Sequence, residues 1–511
     1  MKLGTRGCGL LLHPTSLPGP HGVGDLGAPT RKFVETLAAC GQSWWQMLPV
    51  APPGGCRSPY NAVSAFAGSP LLLSLDALVE EGFLSRADAQ APDFPADRVD
   101  FAAAEGFKLP RLLKAHENFS ARASSAAKAE LESFCAEQRE WLEDYALFSA
   151  LRQAHGGAPW TTWDEGLRAR RPAALANARK GLDEPIRFHR FVQFQFARQW
   201  DALRRLCAEK GVGLIGDIPI FVAHDSADVW ANPGLFWLDK KGLRLKVAGV
   251  PPDYFSKTGQ LWGNPLYRWD AMRKDGYKWW VERLRSAFGR FDAVRLDHFI
   301  GFHNYWEIPA DSPTAERGRW VLGPGAALFE RARKVLGELP LIAEDLGVVT
   351  EEVKSLRDRC GFPGLKVLLM AFGTDPEADS YKPYSYPRRS VVYTGTHDND
   401  TVAGWFNDAG SASSTRTADE VRGEHAAVLR YLGTDGRDIH WDMIRLALSS
   451  VADTAIIPVQ DVLGLGSEAR MNLPGTASGN WGWRMSPGAL DGAPGTRLSE
   501  MTETFGRRPV R

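Results

Sequence analysis

Four acidic residues in this 511-residue chain sit where short apolar runs stop. Asp217 lies in GVGLIGDIPI (211–220) and Asp297 in FDAVRLDHF (291–299). Glu344 lies in PLIAEDLG (340–347) and Asp398 in SVVYTGTHD (390–398). Carboxylates that end separate buried strands can converge in space. Convergent carboxylates suit glycosidic-bond chemistry, which passes through an oxocarbenium-like transition state. A retaining mechanism needs a carboxylate nucleophile and a carboxylic acid about 5–5.5 Å apart.

The neighbours of each acid suggest how the work would be divided. Arg295 precedes Asp297 by two residues, so on a strand both side chains share a face. A guanidinium there keeps Asp297 ionised and oriented, which suits a nucleophile. Glu344 has a longer arm and follows the apolar run Leu341-Ile342-Ala343. That setting suits a partly desolvated acid that holds its proton near neutral pH. Asp398, beside His397, suits the holding of sugar hydroxyls. A single Asp at a strand end is usually a helix cap or turn residue, and Asp345 reads as a cap for the helix that follows. Asp217 reads equally as a structural or a site-orienting group, and His298 and His303 individually read as satisfied polar residues. The weight lies on coincidence, since four acids end four separate strands.

The elements that must position these acids are legible as apolar runs broken by polar or Gly/Pro residues. Besides the four above, they are CGLLLHP (8–14), SWWQMLPV (43–50), GLKVLLMAF (364–372) and TAIIPVQD (454–461). Such runs read as fully buried strands. Helical patterns, such as Ala327 to Leu336 and Thr350 to Cys360, separate most of them. Alternating strand and helix implies a parallel sheet. Eight strands with functional acids at their ends favour a (β/α)₈ (TIM) barrel over a doubly wound sheet. Residues 76–195 differ, being rich in Ala, Glu and Arg with helical periodicity. They read as a mostly helical insertion between the second and third strands, leaving 1–75 and 196–511 as the barrel. Two Gly/Pro-rich loops, 51–60 and 248–265, have the length of functional loops.

Composition narrows the classes. The 61 basic residues balance 61 acidic ones, which argues against nucleic acid or an anionic membrane as partner. The six cysteines are scattered without metal spacing, so a reduced, cytoplasmic protein with buried thiols is expected, with neither metal nor cofactor. The apolar run Leu10 to Leu12 is too short for a signal-peptide core, and no run approaches the ~20 residues of a membrane span. With 18 Trp and 25 Phe, the chain has aromatics for sugar stacking as well as for a core. Trp262 in QLWGN and Trp481 in GNWGW suit sugar better than Trp279-Trp280. GVGDLG (22–27) lacks the strand before it and the acid after it that a dinucleotide site needs. SAAK (125–128) and KTG (257–259) lack the third box of a β-lactamase. A calcium loop starting at Asp398 would need Gly and Glu where Ala403 and Ala409 stand.

RLDH (295–298), AEDLG (343–347) and THDN (396–399) look like barrel motifs of the α-amylase superfamily. TSLPGPHGVGDLG (15–27), SPYNAVSAFAGSPLLLSL (58–75), IPIFVAHDSADVWANPGLFWLD (218–239), VAGVPPDYFSKTGQLWGNPLY (247–267) and VQDVLGLGSEARMNLPGTASGNW (459–481) resemble the amylomaltases. These are 4-α-glucanotransferases of glycoside hydrolase family 77. The resemblance implies α-retaining double displacement on α-1,4-glucans and maltooligosaccharides. By motif it makes Asp297 the nucleophile, Glu344 the acid/base and Asp398 the transition-state stabiliser. It places Arg295, His397 and Asp217 in the same subsite, with Ser58, Tyr60 and His298 also binding substrate and Tyr60 stacking on a donor sugar. Asp253, Gln260 and Trp262 fall in the loop that covers the acceptor side in relatives, and Asn472 completes the set. Lys257 departs from the acid expected there, which touches lid contacts rather than chemistry; Asn61 and Tyr384 depart too.

Transfer in place of hydrolysis requires that water be excluded and the acceptor positioned. Loop 248–265, with Gly249, Gly259 and Gly263 as hinges, reads as a lid. The resemblance, rather than the residues, supplies the preference for a sugar acceptor. Oligomeric state and preferred donor length are not encoded in any motif.

Overall fold

The computed structural model describes residues 2–252, 258–347, 349–408 and 417–509. Eight parallel strands close into a barrel. In chain order they are β1 (Gly7–Leu11), β2 (Trp44–Gln46), β3 (Gly213–Pro219), β4 (Ala293–Asp297), β5 (Leu341–Ala343), β6 (Gly364–Val367), β7 (Ser390–Tyr393) and β8 (Thr454–Pro458). Seven lie within one of the eight apolar runs, and β1 begins one residue before its run. Sequence neighbours pair throughout, and β1 closes on β8 from Gly7 opposite Thr454 to Leu11 opposite Pro458. The strands are apolar along their length because a parallel barrel buries both faces, one in its interior and one under helices. Gly9 is required by that closeness, since a Cβ there would lie 2.2 Å from the Trp44 carbonyl oxygen.

The floor of the barrel, where β1 and β8 begin, is bolted by a buried arginine. The Arg507 guanidinium donates to the carbonyls of Gly7 (2.8 Å), Leu448 (2.7 Å), Ser450 (3.1 Å) and Ala452 (3.0 Å). These carbonyls lie at or near the ends of regular elements, where an unpaired buried carbonyl is costly, and Arg6 shares those of Leu448 and Ser450.

Between β2 and β3 the regular elements from Leu75 to Lys210 are all helical. Capping residues start several of them: Ser74, Asp100, Ser124 and Asp164 each accept from a backbone N–H in the first turn. The last of these helices, Asp183–Lys210, runs through residue 195 and delivers the chain to β3. Its Gln193 and Gln199 bond the backbone of Gly68 and Ser74. Lys108, fully buried in the helix Phe101–Arg122, donates to Asp25 Oδ2 (2.9 Å) and the Leu71 carbonyl (2.8 Å). That ion pair joins the helical segment to the loop after β1, and it uses the Asp25 of GVGDLG for structure.

One sheet is absent from the sequence-level expectation. Strands at Gln260–Pro265, Lys246–Val250, Asn304–Pro309 and Arg319–Leu322 form, in that order, a small antiparallel sheet over the barrel's carboxyl end. Much of 248–265 is therefore a pair of strands. Gly249 serves as a close approach inside the sheet, where a Cβ would meet the Gln260 carbonyl at 2.3 Å, while Gly259 and Gly263 have positive φ. No long apolar run marks this sheet because much of it is not buried: Gln260–Pro265 and Arg319–Leu322 are mostly exposed or half-buried and mix polar with apolar residues.

All six cysteines are free, with Cys8, Cys40, Cys207 and Cys360 buried, whereas Cys56 is exposed and Cys135 half-buried. Trp279 and Trp280 are core residues, as expected. Among the described residues no helix is long and apolar enough to cross a membrane.

Candidate active site

The strand register assembles the first part of the site. Asp217 on β3 pairs directly with Arg295 on β4, and Pro219 with Asp297. Directly paired residues of neighbouring strands share a face, so Arg295 meets both acids. Its Nη1 donates to Asp217 Oδ2 at 2.7 Å and its Nη2 lies 3.1 Å from Asp297 Oδ1. Burial disfavours the guanidinium charge, but Asp217 and Asp297 overcome it and hold Arg295 well above its ordinary range. Burial outweighs Arg295 at Asp217, whose carboxyl is pushed up to about 6 and stays ionised at neutral pH. Tyr60 donates to the same Asp217 oxygen at 2.7 Å. Burial first, and Asp217 second, push the Tyr60 hydroxyl well up, so it remains a proton donor.

Leu296 pairs with Ala343 of β5, and the Glu344 N–H continues the ladder by donating to the Leu296 carbonyl at 3.0 Å. One further step of register brings Glu344 level with Asp297. Glu344 is 8 % exposed, and its Oε2 accepts from the backbone N–H of His298 at 2.5 Å. Burial, then the nearby Asp297 charge, push the Glu344 carboxyl up to about 8, against an opposing pull from Arg295. Glu344 is thus a protonated acid at neutral pH, as an acid role demands, while Asp297 lies against the Arg295 guanidinium.

His298 has a left-handed backbone (φ 51°), which turns its N–H toward Glu344 and its ring toward Trp262. The two rings meet edge to face at 4.8 Å. Burial holds the imidazole down to about 4, so it is neutral in the cell's pH range. Trp262 is one of the exposed large apolar residues and donates from Nε1 to Gln260 Oε1 at 3.1 Å. Ser58 accepts from the Tyr60 N–H at 3.3 Å, fixing the turn that carries the tyrosine. Asp253 and Lys257 lie outside the described residues.

Asp398 stands five residues beyond the end of β7, in a turn built by its own side chains. Thr396 accepts from the Asp398 N–H, and Asn399 Oδ1 accepts from Thr396 N and Oγ1. His397 Nε2 is 3.3 Å from Asp398 Oδ2, and Asn472 Nδ2 donates to Asp398 Oδ1 at 2.6 Å. Burial raises the Asp398 carboxyl, but His397 and Asn472 overcome it, and it sits well below the usual carboxylate range. Its side chain is 45 % open to the cleft, so the group is an ionised acid facing whatever occupies the site. The cleft offers about 1540 Å³, and Asp398, Gln260, Trp262, Tyr381 and Asn480 are among its walls.

Some expectations need correction. Asp345 caps no helix, since Thr350 stands at the N-terminus of Glu351–Cys360. Asp345 instead binds Arg357 Nη1 (2.6 Å) and the Leu365 N–H (2.8 Å), tying that helix to β6. Trp481 is buried at 7 % exposure and lies behind the site, tilted against Tyr60 and His397 at 5.9 and 6.0 Å. Arg470 escaped the sequence reading although it adjoins Asn472. Its Nη2 donates to the Asp398 carbonyl at 2.6 Å and its Nε to the Asn472 carbonyl at 2.7 Å. Bonds from a side chain to backbone carbonyls leave no pattern of residue types to find. Asp400 accepts from Thr401 N and Ser467 Oγ, and among the described residues no cluster of His, Cys, Asp and Glu could hold a metal.

An eight-stranded parallel barrel with an ion-paired aspartate, a proton-holding glutamate and a low-pKa aspartate at its carboxyl end is the equipment of a barrel enzyme acting on glycosidic bonds. Comparison with known proteins gives the particular family. The 4-α-glucanotransferase family model matches residues 12–490. The 4-α-glucanotransferase of Thermus thermophilus is 50 % identical over 98 % of this chain and 99 % of its own. That of Synechocystis is 48 % identical over 99 % of both. The solved structure of amylomaltase from Streptococcus agalactiae in complex with acarbose superposes with a TM-score of 0.93 at 36 % identity, covering 99 % of this chain and all of that one. The chain belongs to the 4-α-glucanotransferase family, and its reaction is the transfer of α-1,4-glucan segments between glucans.

Proposed function

We propose that the transfer is an α-retaining double displacement in which Asp297 is the nucleophile, Glu344 the acid/base and Asp398 the holder of the reacting sugar's hydroxyls. The observation that carries this reading is the contrast between Glu344, pushed up to about 8, and Asp297, ion-paired to Arg295 3.1 Å away. Glu344 gives its proton to the leaving glycosidic oxygen as Asp297 attacks the anomeric carbon. The departing fragment takes the proton, and a glucosyl ester on Asp297 remains. Glu344, now ionised, then accepts the proton of an acceptor 4-hydroxyl, whose oxygen displaces Asp297 and regenerates both groups.

Asp398, His397, Asp217, Tyr60 and Arg295 bind the sugar on the donor side of the scissile bond, and Asn472 orients Asp398. Trp262, with Gln260, supplies an aromatic face for the acceptor, and His298 supports it from the edge. Ser58 acts through Tyr60, and we include Asp253 on the acceptor side by motif alone. The substrates are α-1,4-glucans and maltooligosaccharides; the S. agalactiae amylomaltase was solved in complex with acarbose. Residues 76–195 are proposed to serve as a helical insertion that buttresses the barrel mouth without touching the sugar, in a cytoplasmic enzyme.

The test uses maltotriose. The wild-type enzyme yields glucose and a ladder of longer maltooligosaccharides, and Glu344→Gln slows that by several orders of magnitude. With α-maltosyl fluoride, whose leaving group needs no acid, Glu344→Gln accumulates a glycosyl ester that mass spectrometry of peptides locates on Asp297. An ester elsewhere, or unchanged turnover in Glu344→Gln, refutes the assignment.

A further inference from the structure

Asp461 lies just beyond β8 and is buried at 1 % exposure. Its two carboxylate oxygens reach opposite ends of the segment that carries His397 and Asp398. Oδ2 accepts from Thr394 Oγ1, the first residue after β7, at 2.5 Å. Oδ1 accepts from the Val402 N–H, the first residue of the helix Val402–Asn407, at 2.8 Å. Seven residues, Gly395 to Thr401, therefore arch between two points held by one carboxylate.

We propose that Asp461 is a positioning residue for the transfer reaction: by joining Thr394 to Val402 it fixes the span of the 395–401 arch, and so the placement of His397 and Asp398 against the sugar. This rests on the proposed role of Asp398. The rest of the arch shows why a clamp is needed. From outside, Arg470 holds the Asp398 carbonyl, while Asn472 holds its carboxylate and donates from its own N–H to the His397 carbonyl at 3.1 Å. From within, the arch rests on a small cavity beside Asp461, with volume enough for a water (about 20 Å³), where His13 and Met471 lie. Packing there is too loose to set the arch by itself, since a cavity wall offers no fixed contact on its empty side. The two carboxylate bonds supply directional restraints in a buried setting, where such bonds are stronger than in water.

The carboxyl is ionised when it does this. Burial pushes it up to about 6, against the Thr394 and Val402 bonds, with Asp400 as the nearby like charge. It therefore remains an acceptor at both oxygens above that pH. Asp461 contacts neither sugar nor reacting atoms, so its removal should lower kcat rather than affinity. A misplacement of about 1 Å at a reacting group costs on the order of 100-fold in rate.

The experiment measures maltotriose disproportionation for Asp461→Ala, Asp461→Asn, Thr394→Val and Asp398→Asn, with thermal midpoints for each. The expected result is a kcat lowered about 100-fold in Asp461→Ala with KM within about threefold. Asp461→Asn keeps the Val402 acceptor and recovers part of the loss, and Thr394→Val, which cuts the other restraint, falls in the same direction. If Asp461→Ala does not fold, the Asn and Val variants decide by the same criterion. Normal kcat per folded molecule in these variants, with only the midpoint lowered, overturns the proposal and leaves Asp461 a stability residue. Asp398→Asn separates this from the underlying role: full activity there removes the role of Asp398, whereas an inactive Asp398→Asn beside a fully active Asp461→Ala removes the clamp alone.

Discussion

The proton on Glu344 is the most consequential state in the site, and it can be titrated. With its carboxyl pushed up to about 8, roughly nine in ten enzyme molecules carry that proton at pH 7. At the ordinary value of 4.5, about one in three hundred would. Between pH 7 and pH 9 the protonated fraction falls about tenfold, and kcat/KM for maltotriose should fall with it, one log unit per pH unit on the far alkaline side. The Asp297 charge is one of the causes that raise Glu344, so the position of the limb near pH 8 depends on it. Asp297→Asn removes the neighbouring negative charge and should lower the Glu344 value, which carbonyl-stretch infrared spectroscopy can follow without turnover. A kcat/KM profile flat from pH 7 to 9, or a carboxyl band lost by pH 6, would refute the reasoning. Stability carries the same signature. The unfolded chain releases this proton near 4.5 and the folded chain near 8, so across that window the folded state binds the extra proton and stability falls as pH rises. Glu344→Gln removes the cost, and its thermal midpoint should exceed wild type at pH 7.5 and by much less at pH 5.

Three other outcomes follow from particular contacts. Trp262→Ala removes the exposed ring at the acceptor side; maltotriose kcat/KM should fall up to about tenfold and the share of hydrolysis products rise, read by product chromatography. Arg507→Ala takes a donor from four carbonyls at the barrel floor, of which Arg6 still serves those of Leu448 and Ser450. It should cost at least about 3 kcal/mol in urea unfolding while the folded enzyme keeps its kcat. Lys108→Met strands Asp25 in the interior and should cost about 3–5 kcal/mol, whereas replacing both partners with apolar residues should recover most of it.

What the sequence determined by itself was the barrel and the identity of its acids. A strand buried on both faces must be apolar along its length, and a chemical group at its end must break that run. All eight runs became barrel strands; Asp297 ends one, Glu344 directly follows another, Asp217 lies two residues inside the end of a third, and Asp398 stands five residues beyond a fourth. The small antiparallel sheet carries no such mark, because its outer strands are mostly exposed or half-buried and so mix polar with apolar residues.

Tertiary structure alone decided the states of these groups. Arg295 two residues before Asp297 was legible, but its second partner Asp217, 78 positions earlier, follows only from the β3–β4 register. Likewise, the apolar run before Glu344 suggests an acid that holds its proton, but nothing in AEDLG says that Asp345 holds Arg357 in place of capping a helix; depth of burial and the identity of neighbours separate two adjacent acids. The Arg470 bonds to Asp398 and Asn472 and the Asp461 bonds to Thr394 and Val402 join segments far apart in sequence. Spacing along a chain reports which side chains share a face. Desolvation, and contacts between distant segments, exist only once the barrel has closed.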